Sequence, residues 1–189
     1  MKLKVNEIFH SVQGEGANAG MPAVFVRLAG CNLNCPFCDT RHESFTEMSP
    51  KEILTEVEKY RCKRIIWTGG EPTLQLTAEI LQTYFLRFIN YIETNGTNPV
   101  PDGISYIAVS PKVDILKLQK TMPLNVNEIR YAIKAGDKIP YTVELPKADH
   151  YFVSPIDVAP ENIAYCLDFV KKNPQWKLSV QIHKLLNIK

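Results

Sequence analysis

Cys31, Cys35 and Cys38 fall in the stretch Gly30-Cys-Asn-Leu-Asn-Cys-Pro-Phe-Cys-Asp39, a C-x3-C-x2-C spacing that puts three thiols on one loop and no fourth beside them. Iron–sulfur clusters ordinarily take four cysteines, and structural zinc sites are closed by four ligands. A cubane held by three thiolates keeps one iron open, and an open iron is a place to bind and activate a small molecule. Three plainer explanations compete. A disulfide framework sits poorly with five cysteines, an odd number, in a chain of 189 residues. Zinc is the second, because His42 lies near enough to complete a set of three thiolates and one imidazole. Buried structural cysteine is the third. It suits the remaining pair, Cys62 and Cys166, the latter on a helical stripe with Ile163, Leu167 and Val170. It suits less well a loop flanked by Asn, Pro and Asp.

The elements that must hold such a loop are short runs rich in Val, Ile, Tyr and Phe, each ending in a polar cluster. Residues 23–28 run into Ala29-Gly-Cys31, 64–67 into Thr68-Gly-Gly-Glu-Pro72, and 88–92 into Glu93-Thr-Asn-Gly-Thr97. Residues 104–109 run into Ser110-Pro-Lys112, 128–133 into Lys134-Ala-Gly136, 151–153 into Ser154-Pro-Ile-Asp157, and 176–182 into His183-Lys184. This is the strand signature. Between them, Ser49-Pro-Lys-Glu52 is a capping box with proline at the first helical position, opening a helix with Ile53, Leu54, Val57 and Tyr60 on one face. Further helices are predicted over 78–86, capped by Thr77, and over 160–172. Strands alternating with helices predict a parallel sheet with right-handed crossovers. Every polar cluster then lies at the C-terminal end of a strand, the edge where βα barrels build their sites. Turn chemistry alone explains the glycines, but less well the company of Cys, Glu, Thr, Asn and Lys. About seven strands and few helices fit the length, so the expected fold is α/β, an incomplete TIM-like barrel of parallel strands in a single domain over residues 1–189.

Hydrophobic residues at 45% and charged residues at 22% are ordinary globular values, and the net charge is +2. No basic stripe implies nucleic acid, and no apolar run is long enough to span a bilayer. The opening Met-Lys-Leu-Lys-Val-Asn-Glu-Ile-Phe has no apolar signal-peptide core. With unpaired cysteines, the expected compartment is a reducing cytoplasm.

These residues resemble a known family. C-x3-C-x2-C after a first strand, with Phe37 before the last cysteine, is similar to the signature of radical S-adenosylmethionine (SAM) enzymes. The resemblance implies that Cys31, Cys35 and Cys38 hold a [4Fe-4S] cluster and that the methionine part of SAM chelates the open iron. An electron from the cluster then releases a 5′-deoxyadenosyl radical, which takes hydrogen from the substrate. Gly69-Gly-Glu-Pro72 resembles the second family motif, with Gly70 letting the backbone approach the cofactor closely. A longer ordered set narrows the resemblance. It runs Ser11-Val-Gln-Gly-Glu-Gly16, Arg27, Cys38-Asp-Thr40, the clusters at 68–72, 93–97 and 110–112, and the closing run from Trp176. It is similar to the 7-carboxy-7-deazaguanine synthases from about residue 6 to 188, and least so over 114–149. That family contracts the ring of 6-carboxy-5,6,7,8-tetrahydropterin to 7-carboxy-7-deazaguanine with release of ammonia, on the route to queuosine and archaeosine.

Carried onto this chain, the resemblance puts Phe37, Asp39, Gly70, Ser110, Pro111, Lys112, Ser154 and Pro155 beside SAM; Ser154-Pro155 stands where the family often has Gln-Pro. Val12, Gln13, Gly14, Glu15, Arg27 and Thr68 would face the pterin. The glycine-flanked loop offers backbone groups to the ring edge, Glu15 accepts from ring N–H groups, and Arg27 takes the substrate carboxylate bidentately. Thr40 would contact Mg2+, with substrate oxygens and waters completing the octahedron. Plainer readings are a surface turn for Gln-Gly-Glu-Gly, an ion pair with Glu or Asp for Arg27, and a turn or cap for Thr40. Gln181 and His183 would close the pocket or simply be satisfied polar groups of a last strand. The resemblance further implies a homodimer and an electron donor such as flavodoxin or ferredoxin, with no nucleic acid and no membrane. Two rival functions remain: a radical SAM activating enzyme acting on a partner protein, and a non-catalytic zinc-binding module.

Overall fold

Strands β1 (Leu3–Val12), β2 (Pro22–Leu28), β3 (Thr46–Met48), β4 (Arg64–Gly69), β5 (Ile89–Thr94), β6 (Tyr106–Val109), β7 (Asn125–Ile133), β8 (Lys147–Pro155) and β9 (Trp176–Leu178) hydrogen-bond into one sheet. The structure is a computed structural model that describes residues 1–38, 40 and 43–189. The strand order is β3-β1-β2-β4-β5-β6-β7-β8-β9. From β2 to β9 every pairing is parallel, which gives the seven parallel strands expected. The sheet does not close: β3 and β9 form its two edges, each three residues long. The fold is therefore the incomplete barrel that the sequence predicts.

Two strands lie outside that expectation. β1 is antiparallel to β2, and β3 pairs antiparallel with β1. β1 escapes a pattern reading because polar Asn6, Glu7, His10 and Ser11 interrupt it; only Leu3 and Val5 are fully buried.

The helices are α1 (Pro50–Glu58), α2 (Ala78–Gln82), α3 (Ile115–Thr121), α4 (Pro160–Lys172) and α5 (Ile182–Leu186). The capping box at α1 forms as read: the Glu52 amide donates to Ser49 Oγ at 3.3 Å and the Ser49 amide to Glu52 Oε2 at 2.7 Å. α2 starts behind Thr77 but ends at Gln82, short of 86, because the 83–88 segment turns back to bring Phe88 to the foot of β5. The largest correction is at the end of the chain. β9 stops at Leu178, and the Ile182 amide donates to the Gly14 carbonyl at 2.9 Å, so the chain folds over the sheet end and enters α5. Gln181 and His183 thus lie on no strand.

The core has two main parts. Trp67 packs edge-on against Tyr84 at 5.0 Å among Val26, Ile53, Val57 and Leu81. Val126, Ile129, Val153, Cys166 and Trp176 form the second part beneath α3 and α4. Cys62 and Cys166 are buried, as structural cysteines are. Burial pushes the Cys166 thiol up to about 11.

Candidate active site

The polar clusters that end the parallel strands meet around two adjoining cavities. The larger, about 750 Å3, has Val12, Gln13, Gly14, Glu15, Arg27 and Thr68 in its wall, which is the complete set of expected substrate contacts. The smaller, about 250 Å3, is lined by Cys31, Cys35, Cys38, Phe37, Gly70, Ser110, Lys112, Ser154 and Pro155. Glu15, Thr40, Thr68, Glu93, Ser110 and Arg130 belong to both walls. Pro111 is buried beneath its loop and lines neither chamber. Asp39, and His42 as the alternative zinc ligand, lie outside the described residues.

The cysteine loop is fastened at its root. The Gly70 amide donates to the Leu28 carbonyl and the Glu71 amide to the Gly30 carbonyl, both at 2.9 Å. A Cβ on Gly70 would sit 1.8 Å from the Gly30 carbonyl oxygen. The close approach that requires glycine here is therefore made to the backbone just before Cys31. Glu71 is fully buried and fully satisfied. It accepts from the Thr73 amide (3.0 Å) and hydroxyl (2.6 Å), the Thr94 hydroxyl (2.8 Å) and the Asn95 amide (2.7 Å). Asn95 reaches on to Asn32 Oδ1 at 3.1 Å, and Asn32 to Thr97 Oγ1 at 2.9 Å. The loops after β2, β4 and β5 thus form one hydrogen-bonded unit.

All five cysteines are unpaired. The Leu33 amide points at Cys31 Sγ at 3.4 Å, and Asn95 Nδ2 lies 3.9 Å from it. Such N–H donors are what tune a cluster-bound thiolate. Among the described residues no three Cys, His, Asp or Glu side chains are gathered to hold a lone metal ion. Three thiols around one recess, with donors aimed at sulfur, fit a cluster whose ligands attach to separate irons. Lys112 Nζ sits 2.9 Å from Ser110 Oγ and 5.2 Å over the Phe37 ring. Burial pulls its pKa below the usual lysine range, against the pull of Cys35 and Glu15.

In the larger chamber Gln13 works at both ends. Its Oε1 accepts from the Glu15 amide at 3.1 Å, and its Nε2 donates to Glu93 Oε1 at 3.0 Å. The Thr68 hydroxyl donates to Glu93 Oε2 at 2.9 Å. Gln181 Nε2 donates to Glu15 Oε1 at 2.6 Å, and the His183 ring packs so closely on Gly14 that a Cβ there would lie 2.0 Å from Nδ1. Both residues therefore close the chamber. Burial would raise the Glu15 pKa, but Arg130 and Gln181 outweigh it and hold the carboxyl below its ordinary value. Arg27 Nε pairs with Glu7 Oε1 at 3.0 Å, its NH1 donates to Thr40 Oγ1 at 3.2 Å, and its guanidinium lies 5.7 Å over Phe9. The ion pair weighed for Arg27 exists, yet the same side chain lines the chamber.

The sequence reading missed Glu7, Glu93, Glu128 and Arg130 as participants. Arg130 carried the same signal as Arg27, a guanidinium inside an apolar strand. It pairs with Glu15, with Glu128 at 2.8 Å and with Glu93 at 3.3 Å. Its pKa is raised: burial opposes its charge, and the carboxylates of Glu15, Glu93 and Glu128 more than compensate.

Comparison with known proteins accounts for this arrangement. Residues 25–139 match the model of the Radical SAM superfamily. The chain is 42% identical over 191 aligned positions to the 7-carboxy-7-deazaguanine synthase of Bacteroides thetaiotaomicron, with 100% of both chains covered. It is 39% identical to the Haemophilus influenzae protein of the same name, over 98% of this chain and 94% of that one. Its fold is similar to the crystal structure of QueE from Escherichia coli, with a TM-score of 0.73 at 22% identity over 97% of this chain and 95% of that one. By its cysteine loop, its full-length relatives and its open barrel, the chain belongs to the radical SAM superfamily and, within it, to the 7-carboxy-7-deazaguanine synthases.

Proposed function

We propose that the protein contracts the ring of 6-carboxy-5,6,7,8-tetrahydropterin to 7-carboxy-7-deazaguanine with loss of ammonia. The observation that carries this reading is the shared wall. A recess of three thiols and a chamber lined with amide, carboxylate and guanidinium groups meet at Glu15, Thr68 and Glu93. Membership of the radical SAM superfamily implies a [4Fe-4S] cluster and SAM. Bound at Cys31, Cys35 and Cys38, the cluster would supply the electron that starts the radical chemistry.

The protein's own part is binding, orientation and exclusion of water. Arg27 offers a planar fork to the substrate carboxylate while Glu7 holds its Nε. Glu15 accepts from the ring N–H groups, and the backbone of Val12, Gln13 and Gly14 borders the ring edge. Gly70, Ser110, Lys112, Ser154 and Pro155, with Phe37, line the smaller chamber and would hold SAM there. Pro111 and Asp39 are read as further SAM contacts by their place in the motifs; Pro111 is buried and lines neither chamber, and Asp39 lies outside the described residues. Thr40, already touched by Arg27, stands at the junction of both chambers, where a Mg2+ ion would share its hydroxyl with substrate oxygens and water. The reading includes a homodimer in the cytoplasm reduced by flavodoxin or ferredoxin. Among the described residues no helix is long and apolar enough to cross a membrane.

The test is an anaerobic assay of reconstituted protein with reductant, SAM, Mg2+ and the pterin, followed by mass. Appearance of 7-carboxy-7-deazaguanine with 5′-deoxyadenosine is expected. 5′-Deoxyadenosine alone would discard the substrate and point to a different target, such as a partner protein. Zinc without iron in the purified protein would return the binding module.

A further inference from the structure

We infer that Arg130 is the positioning residue of the substrate loop: it grips three carboxylates at once and so fixes residues 13–17 against β7, setting where Glu15 meets its ligand. Each nitrogen of the guanidinium serves a different acid. Nε donates to Glu128 Oε1 at 2.8 Å, NH2 to Glu93 Oε1 at 3.3 Å, and NH1 to Glu15 Oε2. The Arg130 side chain is 9% exposed and that of Glu128 2%.

A single carboxylate would neutralise a buried guanidinium, and apolar packing would stabilise the fold as well as an ion cluster does. Three acids on one cation call for another explanation, and their placement supplies it. Glu15 and Glu93 line the larger chamber; Glu128 lines neither chamber. Glu128 is turned instead to the backbone of the loop. Its Oε2 accepts from the Ala17 amide at 2.9 Å and from the Tyr106 hydroxyl at 3.1 Å. Gly16 presses against it so tightly, at φ +67°, that a Cβ would lie 2.1 Å from Oε1. Glu128 and Arg130 are two apart on one strand and so share a face. Together they hold the loop twice, by the Glu15 side chain and by the Ala17 amide. The Gly16 amide, bonded to Ser179 Oγ at 2.9 Å, gives the loop a third anchor on the far side. A lysine at 130 would keep one charge but lose the planar fork that reaches three partners.

The inference rests on the pterin reading for its kinetic consequence and on geometry alone for its structural one, so two measurements separate them. In protein without cofactors, R130K is expected to speed hydrogen exchange at the amides of Glu15, Gly16 and Ala17 at least about tenfold, with β2 and β4 amides unchanged. In reconstituted protein, R130K is expected to raise the pterin KM about tenfold or more, with kcat within about threefold and the SAM KM unchanged. E128Q, which alters no residue lining either chamber, is expected to move the same two readouts in the same direction. Unchanged exchange at residues 15–17 in both variants would overturn the inference. So would pterin and SAM KM rising together, which marks a general defect of the fold. If the wild-type protein does not turn over the pterin, the substrate reading fails, and the exchange measurement alone decides the role of Arg130.

Discussion

Arg27 shows how much one side chain can reveal about a site. It lines only the larger chamber, and Glu7, which holds its Nε, keeps a second cation in Lys189 Nζ at 2.8 Å. Arg27→Ala should therefore leave the fold and SAM binding in place while pterin turnover falls roughly 100-fold, the scale of losing a charge-paired contact in a desolvated site. Steady-state kinetics beside equilibrium SAM binding checks this; undiminished pterin turnover would sink the assignment. Glu15 gives a pH signature. Its carboxyl titrates below its ordinary 4.5 in the folded protein. The unfolded chain thus takes up the proton first as pH falls. The stability contributed by the Glu15–Arg130 pair is fully present above about pH 4.5 and is lost as pH drops through the lower folded value. Denaturant midpoints measured downward from neutral pH should decline below about 4.5, and Glu15→Gln should make that decline shallower.

At the scale of the element, α4 does more than cover the sheet. Asn162, buried in its first turn, accepts from the Ala135 amide and donates to the Ile156 carbonyl, both at 2.8 Å. It ties the loop after β7 to the turn that follows Ser154 and Pro155 at the end of β8, where Asp157 sits at φ +57°. Asn162→Ala removes both bonds, made to backbone groups of the exposed Ala135 and the half-buried Ile156, and should cost about 1 kcal/mol, read as a lowered melting temperature, together with a raised SAM KM. Elements of this kind were unevenly legible in the sequence. The parallel strands announced themselves because their residues are buried and β-branched or aromatic, and α1 because Ser49, Pro50 and Glu52 form a local cap. β1 did not, since its middle faces a polar chamber. The run from Trp176 alternates like a strand as far as Ile182, but the Gly14 carbonyl captures the Ile182 amide, and tertiary bonding overrides the local pattern. The site divides the same way. Loop residues could be read from motif order, whereas Glu7 gains meaning only when register sets it opposite Arg27, and Glu128 only when Gly16 folds against it.

On the scale of the whole molecule, the sheet stays open, and its edge strands of three residues cover only Leu3–Val5 of β1 and Tyr151–Val153 of β8. Openness also leaves the end of the sheet wide enough for two chambers, 750 and 250 Å3, at the tips of one continuous set of strands. Their common wall has a consequence for how such a protein can change over time. A substitution at Glu15, Thr68 or Glu93 alters both rooms together, so drift there is checked by the cofactor even when a new substrate would welcome it. Phe9, Phe25, Ser44 and Ile188 border the larger room alone. They are the positions through which a lineage, or a designer, can retune what is bound while the radical machinery next door goes on unaltered.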